Sequence, residues 1–200
     1  ATGGYGLWYT GASGSGKSGL NVTNAQRSSP TQVGTDITWR SVAIGEKHVL
    51  ATKTDNTLWG WGYGDDGCLG LSASPNIFSS PIQIGTDTNW SSQVSAGKNM
   101  GGCIKTDGTL WTWGVANNGA NGQNNSLTYY SPKQIGTDTT WSKLDKGGEY
   151  SKFRMAVKTD GTLWCWGGGY QSGALGLNQY STNRSSPTQI PGTTWYGVTV

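Results

Sequence analysis

The stretch Gly11–Ser18, GASGSGKS, fits the phosphate-cradling pattern G-x-x-x-x-G-K-[ST] at every fixed position. In such a loop the glycines let backbone N–H groups close on phosphates. The lysine reaches the outer phosphates and the hydroxyl holds magnesium. The same chemistry needs a helix that begins at the loop and turns its N-terminus toward the anion. The residues that follow, GLNVTNAQRSSP, have no helical periodicity, and no acidic strand end stands ready for magnesium. A shift of 51 residues places Leu7-Trp8 on Leu58-Trp59, Gly11 on Gly62 and Gly16 on Gly67 without a gap. Lys17 then falls on Cys68, and on Ala120 and Ala174 in later copies. The match over Gly11–Ser18 is therefore read as coincidental, its glycines as turn residues, and no cofactor is expected.

The other reactive side chains are sparse. His48 is the single histidine, which leaves no material for a nucleophile–base–orienter set, so no catalytic residue is expected. Cys68, Cys103 and Cys165 are an odd number without C-x-x-C spacing, which indicates neither a disulfide framework nor a zinc site; Cys68 and Cys165, in or beside the Trp strands, read as core thiols. Asp36, Asp87, Asp138 and Asp55, Asp107, Asp160 recur at turn positions, where an Asp side chain bonds nearby backbone N–H groups. Asp65-Asp66 supplies too few oxygens for calcium and reads as a solvated loop, so no metal is expected.

These residues sit in a regular array. GTDITW ends at Trp39, GTDTNW at Trp90, GTDTTW at Trp141 and PGTTW at Trp195, spaced 51, 51 and 54 residues apart. Between them run KTDNTLWGWG, KTDGTLWTWG and KTDGTLWCWG, then SSPIQIG, YSPKQIG and SSPTQIPG. A period near 50 with short strands and abundant turns is the mark of a propeller or solenoid. Each unit reads as four strands, with Asp-Gly hairpins at Asp107-Gly108 and Asp160-Gly161 and an equivalent Asp55-Asn56 turn. Alternation along a strand puts Trp59 with Trp61, Trp111 with Trp113 and Trp164 with Trp166 on one face, where they fill the space between blades. Trp39, Trp90, Trp141 and Trp195 are the corresponding corner positions.

The phrase KTDGTLWTWG…SPKQIG…W resembles the regulator of chromosome condensation repeat, a unit of a β-propeller. The resemblance implies one all-β domain over residues 1–200, built of four-stranded blades of about 51 residues. They divide as an incomplete blade 1–39, repeats 40–90, 91–141 and 142–195, and a first strand of a next or closing blade at 196–200. About four blades are expected where founding members have seven. The chain is read as a fragment of a larger ring, or as one closed by pairing its N- and C-terminal strands. The family's histidine after the first strand survives as His48; Met100 and Ser151 or a neighbour stand there in the other copies.

Such arrays present loops to partners, and the copies differ most after the first strand: GEKHV, GKNMG and GGEYSKFRM. The partner-binding candidates are accordingly Lys47, His48, Lys98, Asn99, Tyr150, Lys152, Phe153 and Arg154. The expected role is a non-enzymatic binding or structural module whose partner is a protein or further copies of itself. A lectin-like glycan module, or an enzyme inhibitor or exchange-factor-like regulator, is the alternative. The net charge of +3 is scattered, without a basic stripe, so no nucleic acid is expected. No stretch reaches the roughly 18 apolar residues of a membrane span. Low charge, at 12% of residues, and Asn/Thr/Gly-rich repeats point to an extracellular or virion surface, and to structural or adhesion work there.

Overall fold

A computed structural model describes residues 4–72, 77–115, 117–147, 152–169, 173–180 and 182–198. Fourteen strands are formed among them. β1 (Trp8–Ser13) and β2 (Ala25–Gln32) pair as a two-stranded sheet. Three four-stranded antiparallel sheets follow, each in simple sequence order. The first holds β3 (Trp39–Ile44), β4 (His48–Lys53), β5 (Leu58–Tyr63) and β6 (Ile77–Gln83). The second holds β7 (Trp90–Ala96), β8 (Met100–Lys105), β9 (Leu110–Gly114) and β10 (Tyr129–Gln134). The third holds β11 (Trp141–Leu144), β12 (Phe153–Lys158), β13 (Leu163–Gly167) and β14 (Arg184–Ile190). Successive sheets touch through their first strands: β3 and β4 pack on β7, and β7 and β8 pack on β11. These are the blades expected from the repeat.

Alternation along the third strand of each blade organises the core. Trp59 and Trp61 project to the side where Leu7 and Trp39 pack. Leu58 projects the other way, into a cluster with Leu50, Ile84, Trp90 and Trp113. Each blade thus offers an aliphatic face to the tryptophan face of the next. Trp39 meets Trp59 edge to face at 5.9 Å, and tilts against Trp61 at 5.8 Å. Trp90 repeats this with Trp111 and Trp113, and Trp141 with Trp164 and Trp166. The inner tryptophans bond the preceding blade: the Nε1–H groups of Trp61, Trp113 and Trp166 donate to the carbonyls of Lys17, Cys68 and Ala120. Gly101 is demanded by this packing, since a β-carbon there would come within 2.3 Å of the Trp113 ring.

A polar frame holds the indoles from the hairpin end. Asp55 Oδ1 accepts from the N–H and Oγ1 of Thr57, whose hydroxyl in turn accepts from Trp59 Nε1. Asp107 with Trp111, and Asp160 with Trp164, repeat it. Asn56 has φ of 63°, the left-handed conformation that glycine takes at Gly108 and Gly161, so it makes the turn as expected. Each blade also buries a lysine over the aromatic pair. Lys53, Lys105 and Lys158 lie 3.6, 4.1 and 4.0 Å from the centroids of Trp59, Trp111 and Trp164. Their ammonium groups pair with Asp36, Asp87 and Asp138.

The expected strand at 196–200 is not formed over its described residues. Tyr196–Val198 are coil, Trp195 is 42% exposed, and β1 pairs with β2. Among the described residues, Trp195 stacks on no pair of indoles as the other corner tryptophans do.

Removing a fully buried indole deletes both area and shape. Trp113→Ala is expected to lower the unfolding free energy by about 3–5 kcal/mol. Trp8→Ala, at a ring 58% exposed, should change it by less than about 0.5 kcal/mol; urea denaturation compares the two. The Lys53 and Thr38 bonds hold the Asp36 carboxyl near 2, against an ordinary 3.8. Burial pulls Asp138 upward, but its Lys158 and Thr140 bonds prevail and it also lies at about 2. Unfolded, both take up protons near 3.8, so their stabilisation is complete above about pH 4 and is lost as pH falls toward 2. Asp36→Asn combined with Asp138→Asn should flatten the acid limb of stability between pH 4 and 2.

Candidate functional site

The connections between the first and second strands, and between the third and fourth, emerge at one end of every blade, here the loop face. The Asp-Gly hairpins emerge at the other. Gly11–Ser18 belongs to the loop face and forms no phosphate loop. Gly11–Ser13 end strand β1, a turn follows, and no helix begins there. Lys17 Nζ donates to the Glu46 carbonyl at 2.9 Å, and the Lys17 carbonyl receives the Trp61 indole. A β-carbon at Gly16 would meet the Ser79 backbone at 2.9 Å. Loop and lysine are thus committed to docking one blade on the next.

The partner-binding candidates separate into two groups. Lys47 is exposed, Lys98 and Asn99 are half-buried, and Lys152 is exposed. Lys98, Asn99 and Lys152 line one cavity of about 390 Å³, together with Met100, Asn117 and Asn118. The cavity lies between neighbouring blades. Lys98 Nζ is 3.6 Å from Glu46, and Asn99 Nδ2 donates to Asp66 at 2.8 Å, so the loops of two blades brace each other. Asp66 stands at φ of 57° and Asn118 at 56°, in the equivalent single-turn segments Asp65–Gly67 and Asn117–Gly119. Tyr150 lies outside the described residues.

The second group is turned inward, and this corrects the expectation that all eight residues face a partner. Arg154 is 1% exposed. Its Nη1 donates to Ser95 Oγ at 2.6 Å and Asp145 Oδ1 at 3.1 Å, and its Nη2 to the Met100 carbonyl at 3.2 Å. Asp145 also accepts from the backbone N–H groups of Gly147 and Met155. This buried pair clamps both ends of the β11–β12 connection, the longest of the first-to-second-strand loops. Its gain is positional, since removing one partner of a buried pair strands a charge. Phe153 is half-buried and packs against the last blade's core. It pairs with Gly167 as His48 pairs with Gly62 and Met100 with Gly114, so Phe153 takes the position assigned to Ser151 or a neighbour.

His48 is fully buried, and neither ring nitrogen has a hydrogen-bond partner among the described residues. Burial pushes its imidazole down to about 3, with the Arg154 charge adding to the effect. Burial likewise pushes the thiols up, to about 12 at Cys68 and Cys103 and about 11 at Cys165. Residues missed by spacing alone are Asp145, Asn117 and Asn118, which come from single copies. The lysines of the KTD phrases recur in each of the three four-stranded blades, and that recurrence was the signal for their framework role.

Residues 55–104 match the description of the regulator of chromosome condensation (RCC1) repeat, and residues 39–68 match a second description of the same repeat. Residues 39–104 thus carry RCC1 repeat sequence. It is 25% identical to the human E3 ubiquitin-protein ligase HERC2 over 159 residues, which cover 77% of this chain and 3% of that protein. It is 26% identical over 153 residues to the ultraviolet-B receptor UVR8 of Arabidopsis thaliana, covering 76% of this chain and 34% of that one. Among solved structures, human WBSCR16 superposes with a TM-score of 0.81 at 21% identity, covering 98% of this chain and 51% of that chain. Prp20p from Saccharomyces cerevisiae, described with its binding to Gsp1p and histones, gives 0.77 at 20% identity and covers 93% and 46%. The chain therefore spans about half of these solved chains and far less of HERC2. The likeness establishes the RCC1-type propeller blade.

His48 generates a pH test. A histidine kept neutral by burial costs stability once the unfolded chain can take its proton. The loss begins as pH falls through about 6.5 and continues to about 3. His48→Met, which installs the residue found at Met100, should remove that slope between pH 6.5 and 4 in urea titrations.

Proposed function

We propose that the chain is a non-enzymatic interaction module whose RCC1 blades hold the loop face against a protein partner. The observation that carries this reading is the contrast between the two ends of the blades. The hairpin end repeats one set of Asp, Thr, Lys and Trp bonds three times. The loop end carries different side chains in each copy around a cavity shared by two blades. Similar propellers lend support: Prp20p is described with Gsp1p and histones, and yeast RCC1 with Kap60. A catalytic reading lacks support, because the single histidine is sealed and all three thiols are buried. A lectin reading is weakened because a lysine already lies over each half-buried indole of Trp59, Trp111 and Trp164. The low charge and Asn/Thr/Gly-rich repeats favour an extracellular or virion setting, with a structural or adhesion role.

Photocrosslinking tests the choice of face. A benzoylphenylalanine at Lys47, on the loop face, should yield one discrete adduct in the native host extract. Unlabelled chain should compete it away. The same group at Thr106, exposed on the hairpin face, should yield none. Equal adducts from both positions would dismiss the loop-face reading.

A further inference from the structure

The cavity between the loops has a particular chemistry. Lys98 comes from one blade and Lys152 from the next, and both line it. Asn99, Asn117 and Asn118 add side-chain amides, and Met100 supplies an apolar wall. No carboxylate lines it among the described residues. The Lys98–Glu46 contact, at 3.6 Å, is longer than the roughly 2.7–2.9 Å of a charge-assisted hydrogen bond. An ammonium group carries three donors, so this loose contact leaves Lys98 able to bond an incoming anion.

We propose that this cavity receives a carboxylate side chain from an acidic segment of the protein partner. The inference rests on the loop-face reading and adds the partner's chemistry. The surroundings favour a short acidic segment over a polyanion. Glu46, Asp65 and Asp66 lie on the same face, in the loops of the preceding blade. An extended phosphate backbone needs a continuous basic track, and these carboxylates interrupt it. At about 390 Å³ the cavity is near the lower end of small-ligand sites, enough for one or two side chains. Two ammonium groups beside an apolar wall attract a carboxylate more strongly than they would in open water. Such an arrangement selects among partners by charge complementarity.

The test is an amide chemical-shift titration with a short blocked peptide of alternating glutamate and glycine. The expected result is saturable shifts at Asn99, Asn117 and Asn118, weakened about tenfold by Lys98→Gln combined with Lys152→Gln. The shifts should shrink with added salt and be absent with the glutamine version of the peptide. Shifts elsewhere, an unchanged affinity in the double variant, or an equal response to oligothymidylate would overturn the proposal. The Lys47 cross-link separates it from the reading beneath. An adduct that forms with full yield in the double variant keeps the loop-face reading and overturns the acidic-segment inference. A fall in yield of about tenfold supports it.

Discussion

Three indole rings and one ammonium group meet in each complete blade. The corner tryptophan meets the outer strand tryptophan edge to face and the inner one edge to face or tilted, arrangements that bring the positive rim of one ring toward the negative face of another. The lysine lies over the outer pair, desolvated on its stem and paired with a carboxylate at its head. The rest of the structure depends on this packing. It fixes how far one blade sits from the next, because the inner indole bonds the preceding blade's glycine-rich loop. It also fixes where glycine is required, as at Gly101. The indole N–H groups of Trp39, Trp90 and Trp141 have no oxygen or nitrogen partner among the described residues.

Because the frame is secured from the strands and hairpins, the opposite ends of the blades are released from repetition. His48, Met100 and Phe153 occupy one position in three blades, with three different chemistries. The third blade contributes Ser95 and the fourth Asp145 and Arg154, and together they anchor a loop that no other copy has. The cavity is likewise composite, with a lysine from each of two blades. Variation thus accumulates between blades, where two loops meet, rather than within one.

Much of this was legible in the sequence because the repeat aligns every framework residue three times. The four strands, the alternation of Trp61 against Leu58 and the turn at Asp55-Asn56 all follow from spacing and turn chemistry. The same alignment disposed of the apparent phosphate loop, since Lys17 has no counterpart in later copies. What spacing did not convey is the direction of side chains at a blade junction. His48 and Arg154 stand in polar, variable stretches and read as surface residues. They are buried because the neighbouring blade covers them, a contact about fifty residues distant in sequence. The role of Lys53, Lys105 and Lys158 was present as a recurring letter, but a buried lysine needs an aromatic bed and a carboxylate that only the folded corner brings together.

The central claim is that stability resides in the tryptophan–lysine frame and is independent of the loop face. The most direct measurement compares unfolding free energies of two variants. One replaces Lys47, Lys98 and Lys152 together with serine; the other is Lys105→Met. The account predicts that the triple loop variant stays within about 1 kcal/mol of the parent. It predicts a larger loss for Lys105→Met, which removes the ammonium group from over two rings together with its pairing to Asp87. A triple loop variant that loses as much as Lys105→Met, or more, would contradict it.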